Sequence, residues 1–310
     1  MRNARKAITQ TLLELAREDK AIFALATDSR GSVTLNAFAD ELPGQFVECG
    51  IAEQNAVGIG AGLANAGLKP FVCGPACFFS MRAAEQVKVD MAYSKMNVKV
   101  IGVSGGVSYG ALGTTHHATQ DVALMRAIPN MTVILPADHA QAAAMTRALA
   151  AFDGPVYVRV GRGDVPDVYE DGAPFEIGRA NWLRRGTDVS LIACGEMVCR
   201  ANEAAGLLAA EGISASVLDV HTLKPLDTSA VLEAARAGAV VTVEEHTVAG
   251  GLGGAVAELL AQACPTKMKL MGLPVEPLFN GSSAEVLEHY ALTPAGIARE
   301  ARALIGRAGA

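Results

Sequence analysis

The chain has 310 residues, of which 51% are hydrophobic, and its formal net charge at neutral pH is −6. A chain of this length buries most of its surface and typically divides into two domains. The acidic balance, without a basic stripe, argues against nucleic acid or an anionic membrane as a partner. We therefore expect a small-molecule ligand.

Neither the first residues nor the uncharged segments have the pattern of a targeting or membrane-spanning segment. Residues 1–6 carry positive charge, but Glu14 and Glu18 follow before any apolar segment as long as that of a signal peptide. The longest uncharged stretches, such as residues 54–68, are too short to cross a bilayer. We expect a cytoplasmic protein with no membrane partner.

Short β-rich segments alternate with longer Ala-rich helical patterns in the first half of the chain. The predicted strands are residues 22–26, 46–49, 70–73, 98–103, 132–135 and 156–160. This alternation is typical of a parallel sheet with crossover helices. We assign residues 1–165 to a first α/β domain.

The alternation is interrupted after these strands, because Gly, Asp and Pro accumulate in residues 161–166 and 170–174. We assign residues 166–186 to a linker. Further strands are then predicted at 189–193, 215–219, 239–243 and 268–271. Residues 187–310 are therefore expected to form a second, smaller domain, and the predicted fold is two consecutive α/β domains with mostly parallel sheets.

Two groups of residues that could form ligand sites favour packing instead. The six cysteines include no C-x-x-C pair, and Gly74 and Pro75 disfavour a helix that would bring Cys73 and Cys77 together. Residues 250–254 (GGLGG) precede a helix but lack the spacing of a nucleotide-binding fingerprint. We predict core cysteines, no metal site on this chain and close helix packing at the glycines.

One carboxylate, Glu53, stands at the start of a helical segment that is otherwise small, apolar or amide in character. The predicted strand 46–49 leads into it, so Glu53 lies at the carboxyl end of a strand, where open α/β sheets place their ligands. A carboxylate in the first turn also stabilises a helix through the helix dipole. Position alone therefore allows two interpretations, a functional site or a cap.

Several segments, in the same order, resemble the pyrimidine-binding and C-terminal domains of transketolases, which are thiamine diphosphate enzymes. They are residues 50–54 (GIAEQ), 79–87 (FSMRAAEQV), 113–116 (GTTH), 125–131 (MRAIPNM) and 135–138 (LPAD). Residues 219–227 (DVHTLKPLD) and 243–246 (VEEH) resemble both transketolases and the β-subunits of 2-oxo acid dehydrogenases. Residues 115–116 and 126–130 favour transketolase and the related deoxyxylulose-phosphate synthase. The resemblance covers essentially the whole chain.

This resemblance implies thiamine diphosphate as the cofactor. Glu53 matches the carboxylate that hydrogen-bonds a pyrimidine ring nitrogen, so that the cofactor's own amino group takes its C2 proton. Phe79 matches an aromatic residue that stacks on the pyrimidine, Arg82 an arginine of the synthase branch, and Asp28 an aspartate of the site. Each has a plainer interpretation, as a core residue, a solvated surface residue and a turn residue respectively.

The resemblance also implies residues that contact the substrate. His116 matches a histidine that approaches a substrate oxygen, where an imidazole transfers a proton near neutral pH. His117 replaces a family glutamine. Ser32 matches a serine that contacts substrate phosphate, with a helix N-cap as the alternative. Arg159 matches an arginine that lines the site, and Arg162 could share that role because a guanidinium grips phosphate well.

Two positions depart from the family pattern. Leu112 stands where transketolases have an aspartate that binds a sugar hydroxyl, and Ser104 stands where they have a further histidine. An apolar side chain cannot make that hydrogen bond, and a hydroxyl left unpaired costs roughly 1–3 kcal/mol. We expect Leu112 to line the substrate site and to shift preference away from the usual ketose phosphates, while the sugar and its phosphorylation stay open.

The pyrophosphate-binding domain of the family, with its magnesium ligands, has no counterpart in this sequence. We expect a separate N-terminal, pyrophosphate-domain subunit to supply the Mg²⁺ ligands, and two copies of each subunit to form a heterotetramer that contains a homodimer of this chain. The expected function is transfer of a two-carbon ketol unit between sugar substrates. Two alternatives are a 2-oxo acid dehydrogenase β-subunit and a non-catalytic partner subunit.

Overall fold

The computed structural model describes residues 1–307 and shows two β-sheets whose strands are connected mainly by helices. The first part of the chain forms strands β1 (Ile22–Ala26), β2 (Phe46–Glu48), β3 (Lys69–Pro75), β4 (Lys99–Val103), β5 (Thr132–Ile134) and β6 (Val156–Arg159). Its helices are α1 (Ala4–Glu18), α2 (Asn36–Glu41), α3 (Glu53–Asn65), α4 (Ala76–Met81), α5 (Ala84–Gln86), α6 (Asp121–Ala127) and α7 (His139–Ala151). A π-helical segment, Val87–Tyr93, and two 3₁₀ segments, Pro43–Gln45 and Gly110–Thr115, complete this part.

The second part repeats the alternation. Its strands are β7 (Asn181–Arg184), β8 (Val189–Ala193), β9 (Ala215–Asp219), β10 (Thr222–Lys224), β11 (Ala239–Thr247) and β12 (Lys267–Leu273). Its helices are α8 (Met197–Ala210), α9 (Thr228–Ala234), α10 (Leu252–Ala263), α11 (Ser283–His289) and α12 (Pro294–Leu304). All ten strands predicted from the sequence are present, and β7 and β10 are additional.

The first sheet has seven strands in the order β10-β5-β6-β4-β3-β1-β2, and all its strands are parallel except β10. The second sheet has five strands in the order β12-β11-β8-β9-β7, and only β7 runs antiparallel. The central strands β4, β8 and β11 are buried along their whole length because helices cover both faces of a parallel sheet. The predicted class of two mostly parallel α/β domains is confirmed.

The two additional strands change the domain boundaries inferred from the sequence. β7 lies inside the segment assigned to the linker, and it pairs with β9 of the second sheet. β10 follows the second sheet in the chain but pairs with β5 at the edge of the first sheet. The Lys224 side chain holds this strand in place because its Nζ donates to the carbonyls of Arg126 and Ile128, at 2.8 and 2.5 Å. Neither of these two short segments has an apolar run that separates it from the surrounding loop residues, so the sequence did not predict them.

The hydrophobic core joins the two sheets. One apolar cluster contains residues of the first sheet, such as Val72 and Val100, together with residues of the second, such as Ile192, Leu218 and Val240. A second cluster packs α1 and α7 against the other face of the first sheet, and a third packs α8 and α12 against the second sheet. The domains therefore share one continuous interface.

A buried polar network also connects the domains with the segment between them. The Asp219 carboxylate, at the end of β9, accepts hydrogen bonds from Gln141 Nε2 and Tyr169 OH, both at 2.7 Å. Asp138 Oδ2 accepts from the backbone N–H groups of Val168 and Tyr169, both at 2.8 Å. Burial raises the pKa of Asp219 to about 7, although the hydrogen bonds from Tyr169 and Gln141 oppose that rise.

The glycine run before α10 is explained by the carboxylate of Glu244. Its two oxygens accept from the backbone N–H groups of Leu252 and Gly253 at 2.7 and 2.8 Å, so the carboxylate occupies the start of the helix. A side chain at Gly251 would overlap this carboxylate. The glycines therefore permit close packing onto Glu244, as the sequence predicted, and the N-terminus of α10 is already filled.

Candidate functional site

Glu53 is the first residue of α3, and only 1% of its surface is exposed. The preceding residues turn sharply after β2, with Gly50 at a φ of 70° that favours glycine. Among residues 1–307, the Glu53 carboxylate bonds to the Arg82 guanidinium, with Oε2 at 2.5 Å from Nη1, rather than to a backbone N–H of its own helix. Glu53 is therefore not the cap of α3, and one of its two oxygens is free for a ligand.

Arg82 follows α4 and lies over the ring of Phe78, with its Cζ 4.5 Å from the ring centroid. The Arg82 side chain is partly exposed and the Glu53 side chain is buried, so their ion pair lies between the solvent and the protein interior. The neighbouring Phe79 is fully buried in the core shared by the two sheets, and its ring packs against Gly74. Of the two phenylalanines, Phe78 presents the accessible ring beside Glu53 and Arg82.

His116 lies on the other side of Phe78, directly after the Gly110–Thr115 segment. Its ring makes edge contacts with Phe78 and with Tyr109, at centroid distances of 5.5 and 5.2 Å. Its Nδ1 is 2.9 Å from the Thr115 hydroxyl. The Thr115 contact at Nδ1 leaves Nε2 available for a proton transfer or a hydrogen bond to a ligand.

The neighbours of His116 differ in their exposure. His117 is buried, and its Nε2 lies 2.9 Å from the carbonyl oxygen of Gly110, so it braces the loop. Leu112 is 56% exposed and stands on the same loop as His116. Ser104 is fully buried at the end of β4. The structure therefore brings Leu112 and His116 to one surface and turns His117 inward.

Arg159, at the end of β6, lies in the interface between the domains. Its Nη2 donates to the backbone carbonyl of Glu245 at 2.5 Å, and its Nη1 is 3.7 Å from the Asp121 carboxylate. Burial alone would lower the pKa of Arg159, but Asp121 and Glu245 outweigh it and the pKa is raised. Only 6% of Arg159 is exposed, so it does not reach the open surface of the site.

Two arginines, Arg5 and Arg162, lie close together next to Ser32. Arg5 donates to the backbone carbonyls of Ser32 and Arg162. Burial, and then the nearby Arg162 guanidinium, lower the pKa of Arg5. In the part of the chain that the structure describes, Arg5 Nε and Arg162 Nη1 are buried donors without a hydrogen-bond partner. Two adjacent guanidinium groups with unsatisfied donors are suited to an anion.

Ser32 and Asp28 lie in the turn after β1. Helix α2 begins at Asn36 with Leu35 before it, so Ser32 is not its N-cap. Asp28 is exposed, has a φ of 53° and donates its backbone N–H to Glu48 Oε1 at 2.7 Å. Glu48 also accepts from the N–H of Gly50 at 3.1 Å, which ties the Asp28 turn to the residues before Glu53.

A cavity of about 600 Å³ opens between the two domains on the side of Arg162. Ser108, Glu196, Arg200 and Glu245 also line it. Burial, and then the Glu245 carboxylate, raise the pKa of Glu196; burial also raises that of Glu245, although Arg159 opposes it. Arg162, and with it the pair of guanidinium groups, therefore lies at the edge of an open cleft.

Two family models match the chain. "Transketolase, pyrimidine binding domain" matches residues 1–167, and "Transketolase, C-terminal domain" matches residues 178–297. The chain belongs to the transketolase family. The resemblance inferred from the sequence is thereby confirmed.

Individual relatives give a finer description. This transketolase subunit is 54% identical over 299 residues to an apulose-4-phosphate transketolase subunit of Phocaeicola vulgatus, covering 96% of each chain. It is 40% identical to 6-deoxy-6-sulfo-D-fructose transketolase subunit SqwH of a Clostridium species, covering 98% of this chain and 94% of that protein. A solved split-gene transketolase, described as an inactive beta4 tetramer, has 40% identity, a TM-score of 0.91 and 98% coverage of both chains.

These relatives show that the protein is a subunit of a split transketolase, and therefore of a transferase. The alternatives, a 2-oxo acid dehydrogenase β-subunit and a non-catalytic partner, are not favoured. None of the helices in residues 1–307 combines the length and apolar character needed to span a lipid bilayer. Within the same residues, no three His, Cys, Asp or Glu side chains are grouped as metal ligands would be.

Some residues of the candidate site were predicted from the sequence, and others were not. Glu53, Arg82 and His116 lie along one surface, connected through Phe78. Arg5, Tyr109 and Phe78 were not singled out. A signal existed for Arg5, since a basic residue near the start of α1 faces the turn after β1, but no periodicity distinguishes it from a solvated arginine. All six cysteines are free, and Cys73, Cys77, Cys194 and Cys199 are buried.

Proposed function

We propose that this chain supplies the pyrimidine half of a thiamine diphosphate site, in a transketolase that transfers a two-carbon ketol unit from a phosphorylated sugar. The observation that carries the proposal is the buried Glu53 carboxylate, which has one oxygen without a hydrogen bond within residues 1–307 and is connected to His116 through Arg82 and the Phe78 ring. Arg82 pairs with one oxygen of this buried carboxylate, and the other oxygen is left to accept a hydrogen bond, which a protonated pyrimidine nitrogen can donate.

Each residue has a role toward the bound cofactor, which itself supplies the carbanion chemistry of the thiazolium ring. Glu53 hydrogen-bonds the pyrimidine ring nitrogen, and Arg82 holds the Glu53 carboxylate from the outside. Phe79 is assigned to the wall behind the pyrimidine, and Phe78 adds the accessible ring. Asp28, tied to the Glu48–Gly50 turn, is assigned to the rim of the same site.

His116 acts on the substrate. Its Nδ1 is held by the Thr115 hydroxyl and its ring by two aromatic edges, so that Nε2 has a fixed direction. We assign Nε2 to proton exchange with the substrate oxygen next to the bond that breaks, a task suited to an imidazole near neutral pH. His117, which the family resemblance also placed at the substrate, is assigned to the support of this loop.

The anionic end of the substrate binds at Arg5, Arg162 and Ser32. The unsatisfied donors of the two arginines support this assignment. Both relatives have names that specify an anionic sugar, apulose 4-phosphate in one and 6-deoxy-6-sulfo-D-fructose in the other. Because Arg159 is buried between the domains, we assign the contact inferred for it from the sequence to Arg162 instead.

Leu112 is assigned to the wall that faces the sugar carbons. It is exposed on the His116 loop, and it provides an apolar surface where a hydrogen-bonding group would otherwise stand. The buried Ser104 contributes no side chain to this wall. The pocket therefore favours a donor or acceptor that lacks a hydroxyl, or presents a branched carbon, at this point.

A second polypeptide completes the enzyme. We infer an N-terminal, pyrophosphate-domain subunit that carries the Mg²⁺ ligands and the diphosphate contacts, with two copies of each chain. The names of the relatives support this, since one is called a transketolase subunit and another is a split-gene protein that forms an inactive beta4 tetramer. Ile51, Met81 and Tyr93 are exposed apolar side chains on the elements around Glu53, and they provide a surface for another chain.

Calorimetry tests this proposal. The isolated chain, titrated with thiamine diphosphate and Mg²⁺, is expected to bind weakly and to show no ketol transfer, while addition of the pyrophosphate-domain subunit restores both. The reconstituted enzyme is then assayed with xylulose 5-phosphate, apulose 4-phosphate and 6-deoxy-6-sulfo-D-fructose as donors. Micromolar cofactor binding with turnover by the isolated chain would refute the two-subunit arrangement.

A further inference from the structure

Tyr109 stands between the histidine and the arginine of the proposed substrate site. It precedes the Gly110–Thr115 segment and belongs to neither sheet. Its ring lies at an interplanar angle of 74° to His116 with the centroids 5.2 Å apart. The guanidinium Cζ of Arg162 lies 5.2 Å from the centroid of the same ring. One aromatic ring thus contacts both groups.

The contact with Arg162 is the one that fixes its guanidinium. Among residues 1–307 the Arg162 side chain makes no hydrogen bond or ion pair, and its Nη1 is buried without a partner. A cation over an aromatic face is attracted by the ring quadrupole and is held there without using its N–H donors. Tyr109 therefore orients Arg162 while leaving its donors free for an anion.

The contact of Tyr109 with His116 restricts the orientation of the imidazole ring. Thr115 holds Nδ1, and Phe78 and Tyr109 hold the ring at two edges. Edge-to-face aromatic pairs favour one orientation of the ring over others. Removal of Tyr109 would leave His116 with one aromatic edge, and its Nε2 would lose its fixed direction.

We propose that Tyr109 is a positioning residue that sets the spacing between the proton-transfer group and the anion-binding group, an inference that rests on the proposed function. The His116 ring centroid and the Arg162 Cζ each lie 5.2 Å from the centroid of the Tyr109 ring. These two points are therefore at most about 10 Å apart. A substrate whose reacting oxygen and anionic end are joined by a short carbon chain fits within this upper limit.

The ring, and not the hydroxyl, makes both contacts, and this gives the test its matched control. Tyr109→Phe keeps the ring, whereas Tyr109→Leu removes it with a similar apolar bulk. In the reconstituted enzyme, Tyr109→Leu is expected to raise KM for the phosphorylated donor roughly two- to fivefold and to lower kcat roughly two- to tenfold. Tyr109→Phe is expected to leave both parameters within about twofold of the wild type, on the same reasoning.

Double-mutant cycles separate positioning from a general structural effect. In an Arg162→Met background, Tyr109→Leu is expected to produce no further increase in KM, because the group that the ring orients is gone. Tyr290→Leu, which removes a tyrosine ring in the second domain, controls for loss of an aromatic side chain. The proposal is overturned if Tyr109→Phe behaves like Tyr109→Leu, or if the KM effect persists in full without Arg162.

A readout on the isolated chain distinguishes this proposal from the function on which it rests. With labelled histidines, inorganic phosphate is expected to shift the His116 ring resonances in the wild type and in Tyr109→Phe, and at least threefold less in Tyr109→Leu, since the ring transmits the contact. His116→Gln assigns the signal. Equal shifts in all variants, or none in the wild type, contradict the proposal. Absence of ketol transfer by the reconstituted enzyme, with the phosphate shifts as expected, would instead contradict the proposed function.

Discussion

The Arg82 guanidinium donates to Glu53 through a single carboxylate oxygen, with Nη1 2.5 Å from Oε2. Arg82 is partly exposed and Glu53 is buried, so the arginine covers the carboxylate from the solvent side. A charge-assisted hydrogen bond of this kind fixes the carboxylate plane. The second oxygen makes no hydrogen bond within residues 1–307, so it is available to the pyrimidine in the proposed function.

Substitution of Glu53 by Gln tests the role of that second oxygen. The change is nearly isosteric, so folding should be close to that of the wild type, while turnover of the reconstituted enzyme should fall by about 10²–10⁴-fold, the usual contribution of positioned proton transfer. The amide can no longer share a proton with the pyrimidine nitrogen. Exchange of the C2 proton of the bound cofactor for deuterium measures the affected step directly, and an exchange rate equal to that of the wild type would show that Glu53 has another role.

Arg159 and Arg162 lie three residues apart and should respond oppositely to the same substitution. Arg159→Met leaves the buried Asp121 carboxylate without its cation, so the free energy of unfolding should drop by about 3–5 kcal/mol. Arg162→Met removes an unpaired donor at the cleft, so stability should change by only about 0.5 kcal/mol. KM for a phosphorylated donor should rise roughly tenfold or more, the contribution of a charged hydrogen bond.

Urea unfolding and steady-state kinetics on the two variants provide the measurement, with each variant serving as the control for the other. A raised KM in Arg159→Met, with the free energy of unfolding unchanged, would show that Arg159 contacts the substrate, as the sequence resemblance implied. Unchanged KM in Arg162→Met would remove the anionic contact from the proposal.

The fold was predictable from the sequence because its strands are apolar runs separated by helical patterns. The strand that precedes Glu53 and the helix that follows it are where the pattern placed them. β10 was not predictable, because its place at the edge of the first sheet depends on tertiary contacts of Lys224. The same holds for β7, whose pairing with β9 becomes visible only in three dimensions.

A motif singles out Glu53 and His116 in the sequence as candidates, whereas the burial of a side chain has no such signal. Arg159 and Arg162 are equivalent in sequence as basic residues near the end of a strand, yet one is enclosed by both domains and the other borders the cleft. Phe78 and Phe79 are likewise adjacent, and the direction in which α4 turns determines which ring is exposed. Tyr109 has no sequence signal at all, since its importance comes from two contacts across loops.

Asp219 should make a contribution to stability that declines as the pH rises from about 4 to 7. Burial raises its pKa from 3.8 to about 7 in the folded state. The folded chain therefore binds this proton more tightly, so the contribution to stability is full below pH 4, is lost between pH 4 and 7, and is absent above pH 7. Its size is about 2–4 kcal/mol. Urea unfolding of the wild type and of Asp219→Asn across this range measures it.

Asp219→Asn should show a flatter dependence of unfolding free energy on pH than the wild type. Some slope should persist, since burial raises the pKa of Glu244 to about 7 as well. Tyr169→Phe removes one hydrogen bond to Asp219 and should therefore destabilise the protein more at pH 8 than at pH 5. Parallel pH profiles for the wild type and Asp219→Asn would mean that Asp219 does not titrate in this window.

Leu112 should determine which sugars the enzyme prefers. It is 56% exposed on the loop that carries His116, and it gives the proposed pocket an apolar wall where other transketolases bind a hydroxyl with an aspartate. Leu112→Asp should therefore raise kcat/KM for xylulose 5-phosphate by tenfold or more, equivalent to about 1.4 kcal/mol, because the new carboxylate pairs with a hydroxyl that is otherwise unsatisfied. Leu112→Asn controls for the added charge. An already efficient wild type that both substitutions only impair would show that the loop places another polar group at this point.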